Sequence, residues 1–277
     1  MTLTLAYSPC PNDTYVFAAW ANGLLDDAPE ISVRLADIDE LNNAAARGQF
    51  ELTKVSYGAI PHLTDRYRIL RTGGAVGHAC GPLLVARPAG SPTLFSEFAS
   101  RRIAIPGERT TAFLLLQLAL GRRLRTEQMR FDRIVDAVAE GRIDAGLIVH
   151  ESRFTYREAG LIAIADLGEW WENLTLLPIP LGAILVRNDV DDATARSVAT
   201  AIRQSLAFAR ADEAAVMPYV REHAFEMSDD VMRRHIALYV NEFTDDLGDA
   251  GVAAVRALFA RVYDAGLVGR AVEPVFV

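Results

Sequence analysis

No apolar run in this 277-residue chain approaches the ~18 residues needed to span a bilayer, so membrane insertion is not expected. Cysteine is scarce. Cys10 and Cys80 are the only two. One disulfide is arithmetically possible, but so few exclude a disulfide framework, and two reduced thiols is the preferred reading. No Cys-x-x-Cys pair exists, which removes the usual cysteine metal site. Positive charge is also short: 28 Lys and Arg against 36 Asp and Glu give a net charge of −8. The basic residues are scattered, so no nucleic acid partner is expected. The first residues, MTLTLAYSPCPNDTYVF, carry no basic segment, and Pro9, Pro11, Asn12 and Asp13 interrupt their apolar stretch. A secretory signal is therefore not expected, and the protein reads as soluble and cytoplasmic. There is no P-loop, no G-x-G-x-x-G after a strand, no H-E-x-x-H and no G-x-S-x-G. The glycine-rich GGAVGHACG (Gly73–Gly81) fits none of these and reads as a turning crossover. His62, His78, His223 and His235 form no ligand spacing. Neither a metal nor an organic cofactor is inferred. Nothing in the sequence encodes an oligomeric state.

What is present is a repeated order of elements. Leu3–Tyr7 reads as a strand, Ser8–Thr14 as a turn and Tyr15–Leu25 as a helix. Ile31–Leu35 is a second strand, Leu41–Arg47 a helix stopped by Gly48, and Leu52–Tyr57 a third strand. The order returns with a strand at Arg102–Ile105, a loop at Pro106–Arg109 and an apolar helix at Thr110–Arg123. A strand at Met129–Phe131, a helix at Ile134–Glu140 and a strand at Ala145–Val149 complete it. AAARGQFELTKVSY (Ala44–Tyr57) aligns with AVAEGRIDAGLIVH (Ala137–His150), placing Gly48 on Gly141 and Tyr57 on His150. Leu176–Val186 reads as a long strand. Asp191–Leu267 reads as successive amphipathic helices, with Pro218 and Gly248 near helix boundaries and Trp170-Trp171 packed on a lobe surface.

The fold class implied is α/β, with two similar β-α-β-α-β lobes flanking a cleft. Lobe 1 is discontinuous, residues 1–86 and 183–277, with the C-terminal helices completing it. Lobe 2 is residues 87–182.

Ligands bind outside the carboxyl ends of strands in open α/β sheets. Four segments meet that description: Ser8–Thr14, Pro106–Thr111, Lys54–Tyr57 and His150–Phe154. Thr110-Thr111 carry a helix N-cap signature, which serves either capping alone or the reception of a carboxylate or phosphate. Lys54, on one strand face with Leu52 and Ser56, is either an anion contact or a lysine reaching solvent at an edge. Asn12 and Asp13 either cap the following helix or orient a ligand. His150 ends an apolar strand, a place suited to proton transfer near neutral pH or to holding loop backbone. Arg153, in the same loop, is a further candidate. The expected partner is a small anionic substrate.

SPCPNDTYVF (Ser8–Phe17), LTKVSY (Leu52–Tyr57), GGAVGHACGPLLVAR (Gly73–Arg87), PGERTTAF (Pro106–Phe113), HESRFTY (His150–Tyr156) and PLGAILVR (Pro180–Arg187) resemble 1,4-dihydroxy-6-naphthoate synthases of the futalosine route to menaquinone. The resemblance implies a type II periplasmic-binding-protein-like fold. It also implies a lyase that converts cyclic dehypoxanthine futalosine into 1,4-dihydroxy-6-naphthoate and dihydroxyacetone without a metal or organic cofactor. It assigns His150 as proton acceptor, and Lys54, Val55, Ser56, Thr110 and Thr111 as substrate contacts. Val55 stands where the family often has leucine, a change that a backbone contact tolerates. Competing readings are the sister chorismate dehydratase, a solute-binding protein for a small carboxylate, and the sensing domain of a regulator. The long motifs, the missing export signal and the missing DNA-binding segment respectively count against them.

Overall fold

The computed structural model describes residues 2–90, 92, 94–225 and 228–277. The first unit is β1 (Leu3–Tyr7), α1 (Pro11–Ala21), β2 (Ile31–Leu35), α2 (Ile38–Ala46) and β3 (Leu52–Ser56). Three strands follow, β4 (Tyr67–Ile69), β5 (Ala75–Gly77) and β6 (Leu83–Ala86). The second unit is β7 (Arg102–Ile105), α3 (Thr111–Leu120), β8 (Arg125–Gln128), α4 (Ile134–Ala139) and β9 (Ala145–Ile148). Then come α5 (Ser152–Thr155), β10 (Ile162–Asp166), α6 (Leu167–Thr175) and β11 (Ile179–Arg187). The chain ends in helices α7 (Asp192–Ala211), α8 (Glu213–His223), α9 (Asp229–Tyr239), α10 (Glu242–Asp245) and α11 (Gly248–Asp264).

The two units build matching sheets. One has the order β2-β1-β3-β11-β4, with β5 also on β11; the other reads β8-β7-β9-β6-β10. In each, the unit's own three strands are parallel and the fourth strand is antiparallel. Register repeats too: Leu5 and Ala6 face Leu52 and Thr53, as Ile103 and Ala104 face Ala145 and Gly146. The aligned glycines share a backbone state, with φ of 68° at Gly48 and 79° at Gly141, the left-handed turn that closes α2 and α4.

The antiparallel strands are the ones that arrive from the other lobe. The chain changes sheet between Gly77 and Leu83 and returns between Asp166 and Ile179. The sequence reading put these crossings at 86/87 and 182/183. β6 is apolar throughout and β11 up to its last residue, Arg187, so composition alone does not say to which lobe they belong. Helices α7, α8 and α9 pack on α1 and complete the first lobe, while α11 lies on β11 and reaches α3. One core runs through both lobes, including Val55, Tyr57, Ile105, Leu147 and Phe259. A second fills the space between the first sheet and α1, α7 and α8.

Several local expectations are corrected. Helix α1 starts at Pro11, not Tyr15, because a proline at the first helical position needs no amide partner. Its N-cap is Cys10, without a side-chain bond, so Asn12 and Asp13 lie inside the first turn and do not cap it. The strand expected at Met129–Phe131 falls at Arg125–Gln128, a polar edge strand paired to β7. Phe131 instead sits buried in a short 3₁₀ turn. Pro218 lies inside α8. The packing expected of Trp170-Trp171 is found: Trp171 is fully buried, its indole N–H donating to the Pro178 carbonyl at 2.9 Å, and Trp170 packs against the same core.

Candidate functional site

The four strand-end segments converge. Ser8 and, from the first turn of α1, Asn12 and Asp13, with Lys54 and Ser56 from β3, Pro106, Thr110 and Thr111 from the start of α3 and the loop before it, and His150 after β9, all border one cleft. Two expected residues lie elsewhere. Val55 is fully buried in the core, as strand alternation requires when Lys54 and Ser56 face the cleft. Arg153 does not border the cavity. Its guanidinium donates to the carbonyls of Gly81 and Ala79, the latter at 3.0 Å, and pairs with Asp166 at 2.6 Å. Asp166 in turn caps α6 through the amides of Gly168 and Glu169. Arg153 therefore braces the first crossing between lobes.

Lys54 does not reach solvent. Lys54 and Asp13 form an ion pair of 2.6 Å, with side chains only 5% and 3% exposed. Ser8 donates to the other Asp13 oxygen at 2.7 Å, and Asn12 Nδ2 donates to Oδ1 at 2.8 Å. The ammonium charge is thus met inside the protein. Asp13 also gains from the α1 N-terminus, where a negative charge is favoured. Ser56 is fixed from α2, with its amide donating to Asn42 Oδ1 and its hydroxyl accepting from Asn42 Nδ2.

On the opposite side, Thr110 caps α3, its hydroxyl accepting from the Phe113 amide and donating to the Gly107 carbonyl. Thr111 Oγ1 accepts from the Gly58 amide at 3.0 Å and donates to the Leu181 carbonyl at 2.7 Å. Both hydroxyls are therefore engaged within the protein. What the helix start offers a ligand is its first amides, which have no intrahelical acceptor. Gly58 permits this closeness, since a Cβ there would stand 2.8 Å from the Thr110 carbonyl. With Arg109 on Asn43 and Gln128 on Asp39, these bonds bring the lobes together across the cleft.

His150 has a left-handed backbone, φ 56°. Such a conformation in a non-glycine residue is uncommon and concentrates at functional sites. Its Nδ1 lies 3.4 Å from Cys10 Sγ in the first lobe. Burial above all, then the nearby carboxylates of Glu151 and Asp13, push the Cys10 thiol well up, so the sulfur stays protonated. Burial likewise raises the Glu151 carboxyl, partly offset by His150. The His150 ring stacks on His235, with planes 7° apart and centroids at 6.2 Å, and meets the edge of Phe131. Among the described residues, no group of three or more His, Cys, Asp or Glu is placed to hold a metal ion. No described helix is long and apolar enough to cross a membrane.

Sequence reasoning missed His235, Tyr239 and Leu181, which also border the cleft. The two from α9 carry no local signal, because they arrive from a helix more than 200 residues along the chain from the first cleft loop. Cys10, by contrast, lay within the first cleft segment and was weighed only as a thiol.

Comparison with known proteins agrees with this architecture. Residues 3–264 match the model of a family described as menaquinone biosynthesis. The chain is 46% identical over 272 residues to 1,4-dihydroxy-6-naphthoate synthase of Streptomyces coelicolor, covering 96% of this chain and 95% of the relative. It is 44% identical over 275 residues to the enzyme of the same name from Thermus thermophilus, covering 99% of each. Among solved structures, protein AF1704 of Archaeoglobus fulgidus superposes with a TM-score of 0.90 at 33% identity, over 96% of this chain and 98% of that one. The alkanesulfonate-binding protein SsuA of Xanthomonas axonopodis pv. citri superposes with a TM-score of 0.74 at 16% identity, over 98% and 95%. The last likeness shows the periplasmic-binding-protein-like fold alone.

Proposed function

The chain belongs to the menaquinone-biosynthesis family, and from that premise we propose that it converts cyclic dehypoxanthine futalosine into 1,4-dihydroxy-6-naphthoate and dihydroxyacetone, with His150 as general base. The observation that carries the activity is near-half identity over essentially full length to two enzymes of that name. Support for the base comes from His150 bordering the cleft at the carboxyl end of β9. The role selects one tautomer. Nδ1–H donates to Cys10 Sγ, and Nε2 keeps its lone pair for the substrate proton. Loss of that proton drives the carbon–carbon cleavage toward the aromatic product.

Thr110 and Thr111 hold the substrate carboxylate from the second lobe, through the first amides of α3. Lys54, Val55 and Ser56 hold the substrate from the first lobe. In this arrangement Lys54 and Asp13 act as a fixed pair that orients Asn12, and Val55 contributes backbone only. The enzyme works in the cytoplasm, unaided by metal, organic cofactor or nucleic acid, on a small anionic substrate. The test is direct: purified protein is incubated with cyclic dehypoxanthine futalosine and the naphthoate is sought by chromatography and mass. Absence of product, where a lysate competent for the pathway makes it, overturns the reading. Release of water from chorismate instead would assign the sister activity.

A further inference from the structure

His235 enters the cleft wall from α9 and is fully buried. Its hydrogen-bond chain fixes which ring nitrogen carries the proton. Asp13 pairs with Lys54 and, as a carboxylate, only accepts. Asn12 must therefore turn its NH₂ toward Asp13, at 2.8 Å, and its oxygen toward His235. His235 Nε2 stands 2.9 Å from that oxygen, so Nε2 is the donor. In a neutral ring this leaves Nδ1 as a bare acceptor. Burial, and then the nearby His150 and Lys54, push the His235 pKa well down and hold the ring neutral. Nδ1 is buried and has no partner among the described residues. A buried acceptor left unmatched forfeits its hydration without a compensating hydrogen bond. In a residue that borders the cleft, that cost is recovered when a ligand brings a donor.

We infer that His235 is a substrate-binding residue whose Nδ1 accepts a hydrogen bond from a hydroxyl of the sugar-derived part of the substrate. The inference rests on the lyase reading above. The substrate's aromatic carboxylate is an acceptor, whereas its sugar hydroxyls are donors, which selects the sugar end. The parallel stacking of the two imidazoles, 6.2 Å apart, puts this acceptor beside the proposed base. His235 itself stays neutral and transfers no proton.

Two variants separate the roles of the two nitrogens. His235→Asn places a carbonyl oxygen near the Nδ1 position. His235→Gln places its amide near Nε2, preserving the bond to Asn12 without an acceptor at Nδ1. Steady-state turnover of cyclic dehypoxanthine futalosine should show KM raised about tenfold or more in the glutamine variant, the equivalent of about 1.4 kcal/mol. The asparagine variant should stay within about threefold, on the same scale. The acid limb of the kcat profile should persist in both. Wild-type KM in the glutamine variant, equal impairment of both, or loss of the acid limb would each overturn the inference. A second measurement needs no change at position 235. In His150→Ala protein carrying ¹⁵N-histidine, the Nδ1 resonance of His235 should move upfield when substrate is added; an unmoved resonance overturns the inference. Wild-type turnover in the same series tests the lyase reading separately. Without turnover both fall, and with turnover but an indifferent glutamine variant only the inference falls.

Discussion

Replacing Lys54 with methionine should be among the most damaging single changes in the first lobe, although it adds no steric bulk. The side chains of Lys54 and Asp13 are 5% and 3% exposed. Lys54→Met would leave the Asp13 carboxylate in the interior with only Ser8 and Asn12 as donors. Breaking one partner of a buried pair costs about 3–5 kcal/mol, against about 0–1 kcal/mol for an exposed pair. At roughly 2–4 °C per kcal/mol for a chain of this size class, the melting temperature should fall by roughly 6–20 °C. Urea unfolding of wild type, Lys54→Met, Asp13→Asn and the double variant gives the cycle. Removing both charges should cost clearly less than the two single losses added together, because each single change strands the other charge. A loss under about 1 kcal/mol for Lys54→Met, or strict additivity, would refute the reasoning and return Lys54 to a solvated role.

His150→Ala should lower kcat by about 10²–10⁴-fold, the range a general base supplies, while the protein still folds and binds substrate. Near-normal kcat in that variant removes the base assignment. The depressed basicity of His235 sets a pH dependence of stability. Unfolded, this histidine takes up a proton as pH falls through its ordinary value of 6.5; folded, it does not. Stability is therefore full above that pH and declines below it. The loss is about 1 kcal/mol between pH 6.5 and 5.5, absent from His235→Asn. Parallel unfolding curves for the two proteins across this window would show the decline belongs to other groups.

Much of the frame could be read from alternation and turn chemistry. The strands at Leu3–Tyr7, Ile31–Leu35 and Arg102–Ile105 agree to the residue, because apolar or alternating runs bounded by turn residues leave little freedom. The polar β8 was displaced because an edge strand needs no apolar pattern. The crossings differ because β6 and most of β11 are buried apolar strands whose composition does not assign them to one lobe. In the site, the duplication marked the segments that meet at the cleft, including Lys54 and His150. The pairing of Lys54 with Asp13 was not legible, since it depends on a sheet contact 41 residues apart. His235 was further still from any local pattern, 223 residues from Asn12.

Arg153 has a consequence for how the cleft could admit its ligand. It grips the peptides of Ala79 and Gly81 at the first crossing, and through Asp166 the start of α6 that leads to the second. Points near an axis of rotation travel least. A swing of the lobes about these crossings would move Arg153 and the peptides it holds least.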